Sequence, residues 1–194
     1  MDKISYALGL SIANNFLTTG IKSLDINDFS KAMKAVFQQE KPEISYADAK
    51  KIINEYFGKL QEDLSRKNLE EGIAFLAKNK ENPGVITLPS GLQYEVLTEG
   101  SGKKPSLTDR VKCHYQGSLI NGFVFDSSIQ RGEPAVFGVD QVIPGWVEAL
   151  QLMPVGSRWK LYIPSDLGYG AQGAGEVIPP NSALIFEIEL IDIV

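Results

Sequence analysis

The chain has one histidine and one cysteine, side by side at His114 and Cys113, and this narrows the chemistry open to it. Both lie in the run Val111-Lys112-Cys113-His114-Tyr115, where apolar and polar residues alternate as on a strand. Neighbours on a strand point to opposite faces, so the thiol and the imidazole cannot work on each other as nucleophile and base. Cys113 reads as a small core residue and His114 as a solvent-side one. A zinc site lacks ligands. A Ser/His/Asp triad would have to use His114, and no G-x-S-x-G elbow is present. The glycines of Gly170-Ala171-Gln172-Gly173-Ala174-Gly175 suggest a phosphate cradle, but no Lys-Ser/Thr follows. The next residues are Glu176-Val177-Ile178-Pro179-Pro180 rather than a helix start. Hydrolysis, redox chemistry and phosphoryl transfer therefore lose support together, and neither a metal nor a cofactor is expected.

What remains is a set of aromatic residues: Tyr115, Phe125, Trp146, Tyr169 and Phe186, with Asp126 directly after Phe125. Each stands beside a turn or on an alternating stretch. Two readings are open. All five could be ordinary core residues, as most sheet aromatics are. Alternatively they could line a pocket, since the polar tips of Tyr and Trp need partners when buried.

The elements that must position these residues divide the chain in two. Of 194 residues, the first 82 carry 12 basic and 12 acidic side chains; residues 83–194 carry 7 and 12, so the net charge of −5 sits there. Nine of the ten prolines and 14 of the 18 glycines also lie from Pro83 onward. An α-rich domain over 1–82 and a β-rich domain over 83–194 follow. Residues 3–19 put Ile4, Leu8, Ile12 and Phe16 on one helical stripe and Tyr6, Leu10, Ala13 and Leu17 on another. A second helix starts at Asp25 or Asn27 and ends before Pro42. Ser45 with Asp48 is a capping-box signature for a third, running to about Asn79. Three such helices alone would expose a large apolar patch. A core completed by a second chain, with the rest of the long helix as a stalk, is favoured over a self-contained bundle.

In the second domain, alternation marks strands at Leu92-Tyr94-Val96, Val111-Cys113-Tyr115, Trp159-Leu161-Ile163 and Leu184-Phe186-Ile188-Leu190. Pro144 suits the first position of a short helix carrying Trp146, Ala149 and Leu150. A sheet with one apolar face over one short helix is an α+β architecture. The acidic balance and the lack of a basic cluster argue against nucleic-acid binding. No apolar run approaches the ~20 residues of a membrane helix, so no membrane insertion is expected. Residues 1–20 lack the layout of a secretory signal, and a single cysteine suits a reducing compartment, so the cytoplasm is the expected location. The periplasm stays open should a leader have been removed.

An ordered series of motifs then carries a resemblance. Residues 111–115, Gly122-Phe123-Val124-Phe125-Asp126-Ser127-Ser128 and Val142-Ile143-Pro144-Gly145-Trp146 resemble the FKBP-type peptidyl-prolyl cis–trans isomerases. So do Val155-Gly156, Tyr169-Gly170, Ile178-Pro179-Pro180 and the closing run 184–190. The match covers roughly residues 88–194. Residues 3–80 look like the helical region of the two-domain bacterial members, the group of the macrophage infectivity potentiator and its cytoplasmic relatives.

The resemblance implies a half-open antiparallel sheet wrapped around one short helix, with an N-terminal helical dimerisation domain. It implies a shallow apolar pocket for a proline side chain. Trp146 would be the floor and Tyr115, Phe125, Val142, Ile143 and Phe186 the walls, with Val177 and Ile178 also on the substrate. The Ile143 N–H and the Tyr169 hydroxyl would each bind a substrate carbonyl. Asp126 would sit at the edge, bonded to Tyr115. Ala135 and Ala174 depart from the single-domain pattern and would thin the rim. The implied partners are proline-containing polypeptide clients, a second copy of the chain, and macrolide inhibitors. Such an isomerase needs no proton relay, which agrees with the poverty of nucleophiles and bases. The resemblance also implies chaperone activity beside isomerisation, and a chaperone or binding module that captures proline-containing segments with little turnover is the alternative.

Overall fold

A computed structural model describes all 194 residues, which form two compact units, Met1–Leu60 and Gln61–Val194. In the first unit, α1 (Lys3–Thr18) is capped by Asp2, whose carboxylate accepts the Ser5 N–H at 2.8 Å. Asp25 caps α2 (Ile26–Phe37) and accepts the N–H groups of Asn27 and Asp28. Such caps satisfy donors that the first helical turn leaves unpaired. At α3 (Tyr46–Asn79), the Ser45 hydroxyl accepts the Asp48 N–H at 3.0 Å and donates to its carboxylate at 2.7 Å.

Neither α1 nor α2 contains a buried residue. Ile4 is 73% and Phe37 79% exposed, and an apolar cleft lies between Leu8, Ile12, Phe16, Phe29, Met33 and Phe37. The expected apolar excess of this unit is therefore present on its surface. No helix is long and apolar enough to cross a membrane.

The second unit takes the remainder of α3 together with the sheet, which puts the division at Leu60/Gln61, whereas composition changes at 82/83. The reason is packing. Phe75 lies 6.1 Å from Tyr162 by ring centroids. The Gln93 side chain donates to the Leu76 carbonyl and accepts from the Asn79 amide, both at 2.9 Å.

The strands are β1 (Val85–Thr87), β2 (Gln93–Thr98), β3 (Arg110–Leu119), β4 (Val124–Ser127), β5 (Ala135–Gly138), β6 (Arg158–Ile163) and β7 (Leu184–Ile193). They pair antiparallel throughout in the order β1-β2-β6-β7-β3-β4, with β5 also on β3, and the sheet does not close. A one-turn helix, α4 (Ser128–Arg131), follows β4, and α5 (Pro144–Leu150) packs on the apolar face of the sheet. Pro144 occupies the start of α5, where its missing N–H costs no helical bond. Trp146, Ala149 and Leu150 from α5 pack with Leu161, Ile163, Leu184, Ile188 and Leu190 in one core.

Burial alternates along β3 and most of β7. It fails at Gln93, which is only 3% exposed although it points away from that core, because α3 covers it.

Candidate functional site

Three strands, one helix and one turn bring the aromatic residues together. Tyr115 comes from β3, Phe125 and Asp126 from β4, Trp146 from α5 and Phe186 from β7. Val142 and Ile143 precede α5, Tyr169 stands on the turn after β6, and Val177 and Ile178 come from the following loop. All ten line one open pocket of about 640 Å³, together with Phe137, Gln141 and Ala174.

The floor is the Trp146 indole, 3% exposed. Tyr115, Phe137 and Phe186 meet it edge to face at centroid distances of 5.4, 5.8 and 5.2 Å. Phe125 in turn meets Phe186 at 5.5 Å. Such edge-to-face pairs add about 0.5–1.5 kcal/mol each beyond burial, so the wall is stiff as well as apolar. Gly117 makes the arrangement possible: a Cβ there would lie 2.6 Å from both the Phe125 and Phe186 rings.

A polar cluster sits at the edge. Tyr115 donates its hydroxyl hydrogen bond to Asp126 Oδ2. Arg131, at the end of α4, pairs with Asp126 Oδ1 and donates to the Tyr115 oxygen at 2.9 Å. Its guanidinium also lies 5.6 Å from the Tyr115 ring centroid. Burial alone would raise the Asp126 pKa, but the hydrogen bonds from Tyr115 and Arg131 outweigh it and hold the carboxyl below its ordinary value. Burial, and then the bond to Asp126, pushes the Tyr115 phenol up. Burial followed by the Asp126 charge does the same at Tyr169, which stays protonated and able to donate. The Ile143 carbonyl accepts the first helical bonds, from Trp146 and Val147 at 2.9 and 3.1 Å, and its N–H lies outside the α5 ladder.

Sequence reasoning missed Phe137, Gln141 and Arg131. Phe137 was within reach: it stands two residues after Ala135 on β5 and so shares its face. Ala135 packs against the core instead of the pocket, Phe137 supplies an aromatic wall, and only Ala174 leaves the lining thin. Arg131 had no signal, because a single helical turn is what returns it to Asp126. Cys113 is fully buried in the core, and burial pushes its thiol up to about 12, so it takes no part in the chemistry. His114 is partly exposed and paired with the Ser128 hydroxyl at 3.0 Å, outside the pocket.

An unclosed antiparallel sheet over one short helix, with an aromatic pocket beside it, is the arrangement that the resemblance to the FKBP-type isomerases implies. Comparison with known proteins agrees. The family described as FKBP-type peptidyl-prolyl cis-trans isomerase matches residues 101–191, and the domain amino terminal to it matches residues 1–96. The FKBP-type 22 kDa peptidyl-prolyl cis-trans isomerase of Escherichia coli is 42% identical over 97% of this chain and 93% of its own. The outer membrane protein MIP of Legionella longbeachae is 42% identical over 99% of this chain and 85% of its own. The crystal structure of FkpA from Escherichia coli superposes with a TM-score of 0.81 at 34% identity, covering 98% of this chain and 95% of that one. The chain belongs to the FKBP-type peptidyl-prolyl cis–trans isomerases, in the form that carries the amino-terminal helical domain. Its activity is isomerisation of Xaa–Pro bonds in proline-containing substrates.

Proposed function

We propose that the pocket of Tyr115, Phe125, Phe137, Trp146 and Phe186 seats the proline ring and catalyses rotation by favouring a twisted amide. The observation that carries this reading is the Trp146 floor, walled edge-on by three aromatic rings. An Xaa–Pro bond turns slowly because the planar amide loses resonance as it twists. An apolar pocket strips water from the amide carbonyl and so disfavours the charge-separated planar form. Val142, Val177 and Ile178 flank the peptide. The Ile143 N–H and the Tyr169 hydroxyl hold the neighbouring carbonyls, and Asp126 fixes Tyr115 at the wall. Binding the twisted form better than either planar form lowers the barrier, and a ten-thousandfold acceleration needs only about 5–6 kcal/mol of such preference.

Two finer readings accompany it. The exposed apolar faces of α1 and α2 support a homodimer formed through the N-terminal helices. The same apolar cleft favours a chaperone role, holding clients while the pocket acts. Proline-limited refolding of a client protein tests the pocket. Catalytic amounts of the full chain should accelerate the slow phase, a macrolide inhibitor of the family should suppress this, and Trp146→Ala should lose about tenfold or more. Acceleration equal in wild type and Trp146→Ala rejects the pocket. Suppression of aggregation that survives Trp146→Ala but is lost when residues 1–80 are deleted assigns holding to the helices.

A further inference from the structure

One wall of the pocket belongs to neither a strand nor a helix. Ala174, Val177 and Ile178 project from a loop that begins at Gly173, where φ is +64° and a Cβ would lie 2.2 Å from the Ile178 carbonyl oxygen. Two backbone bonds, Ala174 N–H to Ile178 O at 2.9 Å and Ile178 N–H to Ala174 O at 3.1 Å, close it into a small hairpin. The loop returns through Pro179, Pro180 and Asn181, and Asn181 lies in the left-handed region with φ of +55°. Its N–H reaches the Gly170 carbonyl at 2.8 Å.

At this return the loop meets α3. The Asn68 amide donates to the Pro180 carbonyl at 2.9 Å, and the Asn181 amide donates to the Ser65 hydroxyl at 2.7 Å. Ser65, Asn68 and Gly72 are spaced three and four residues apart, so they share one helix face. Gly72 lets the backbones approach, since a Cβ there would lie 3.0 Å from the Ala183 Cβ. This stretch of α3 is itself held at its far end by the Gln93 bonds to Leu76 and Asn79.

We propose that Ser65 and Asn68 are positioning residues of the isomerase site: through Pro180 and Asn181 they fix the loop that places Val177 and Ile178 against the substrate. The inference rests on the pocket reading above and extends the site to a helix that touches no substrate. A loop held by two short bonds of its own can shift by an ångström when its root is released, and displacements of that size cost catalysis heavily. Positioning differs from a merely stabilising role in what it moves, namely the loop rather than the sheet.

The test uses the full chain with Ser65→Ala and Asn68→Ala, singly and together, beside Ser65→Thr and Asn68→Gln, which keep a hydroxyl and an amide. Isomerisation of a proline tetrapeptide is read together with amide hydrogen exchange at Ala174 and Ile178 in the loop and at Ile188 in the central strand. The double alanine variant should lose about three- to tenfold in kcat/KM. Its loop amides should exchange about tenfold faster while Ile188 keeps its wild-type rate, and the conservative pair should recover most of both effects. A kcat/KM within about twofold of wild type overturns the proposal, as does faster exchange that includes Ile188 equally. Trp146→Ala, run in parallel, separates the two claims. Should it keep wild-type activity, the pocket reading fails; should it be inactive while the alanine variants are unimpaired, only the role of Ser65 and Asn68 fails.

Discussion

Tyr115, Asp126 and Arg131 form the one charged cluster at the pocket, and its consequences are for shape rather than proton transfer. Asp126 is held below its ordinary carboxylate value of 3.8 in the folded chain. A depressed folded pKa means that the carboxylate contributes stability that is fully present above the unfolded value and is lost as pH falls through the lower folded one. Asp126→Asn should therefore unfold more easily than wild type at neutral pH, by roughly 0.5–1 kcal/mol once its partial exposure and solvent screening are allowed for. The gap should close only below about pH 4. Denaturant titrations of both proteins across pH check this. A gap that is absent at pH 7, or that stays constant into acid, contradicts the assignment. The same cluster shows where sequence reading stops at this scale. The sequence places Asp126 directly after Phe125 in an apolar setting, and the family resemblance implies its bond to Tyr115. Arg131 could not be read, because its place depends on one turn of helix capped by Ser127 and ended at Gly132.

At the scale of elements, the legible features were those fixed by local chemistry. Ser45 and Asp48 mark the start of α3, Asp25 or Asn27 that of α2, where the structure selects Asp25, and Pro144 the first position of α5. Strand alternation located β3, β6 and β7 because one face of each packs on the α5 core. Features that depend on a distant partner were not legible. Gln93 reads as a solvent-facing residue, yet it is buried under α3, from which it takes both of its side-chain bonds. Gly117 gives no sign in the sequence that two pocket rings close over it, since Phe186 lies far along the chain on β7. Composition alone marks Gly168–Gly175 as an exposed, glycine-rich loop, and only the family resemblance puts Val177 and Ile178 on the substrate. The function of loop 173–182 as a wall comes from the Gly173 turn and from its anchorage on Ser65 and Asn68.

At the scale of the whole molecule, composition changes near Pro83, whereas the folded units divide earlier, at Leu60. Residues Met1–Leu60 leave Ile4, Leu8, Leu17, Val36 and Phe37 more than half exposed, far more apolar surface than an isolated helical unit retains. Sedimentation equilibrium of the full chain at micromolar concentration should give twice the mass of 21.3 kDa, and Phe37→Glu or Leu8→Glu should shift it toward the single mass. A monomer for the wild-type chain removes the dimer from the account. The central claim is that the second unit accelerates rotation by desolvation and twist in an apolar pocket, with no proton in flight. It is tested most directly by kcat/KM for a proline tetrapeptide in H2O and in D2O. The ratio should be about one, with Trp146→Ala lower by about tenfold or more in both solvents; a ratio of about two or more would overturn this reading, because a proton would then be moving in the transition state.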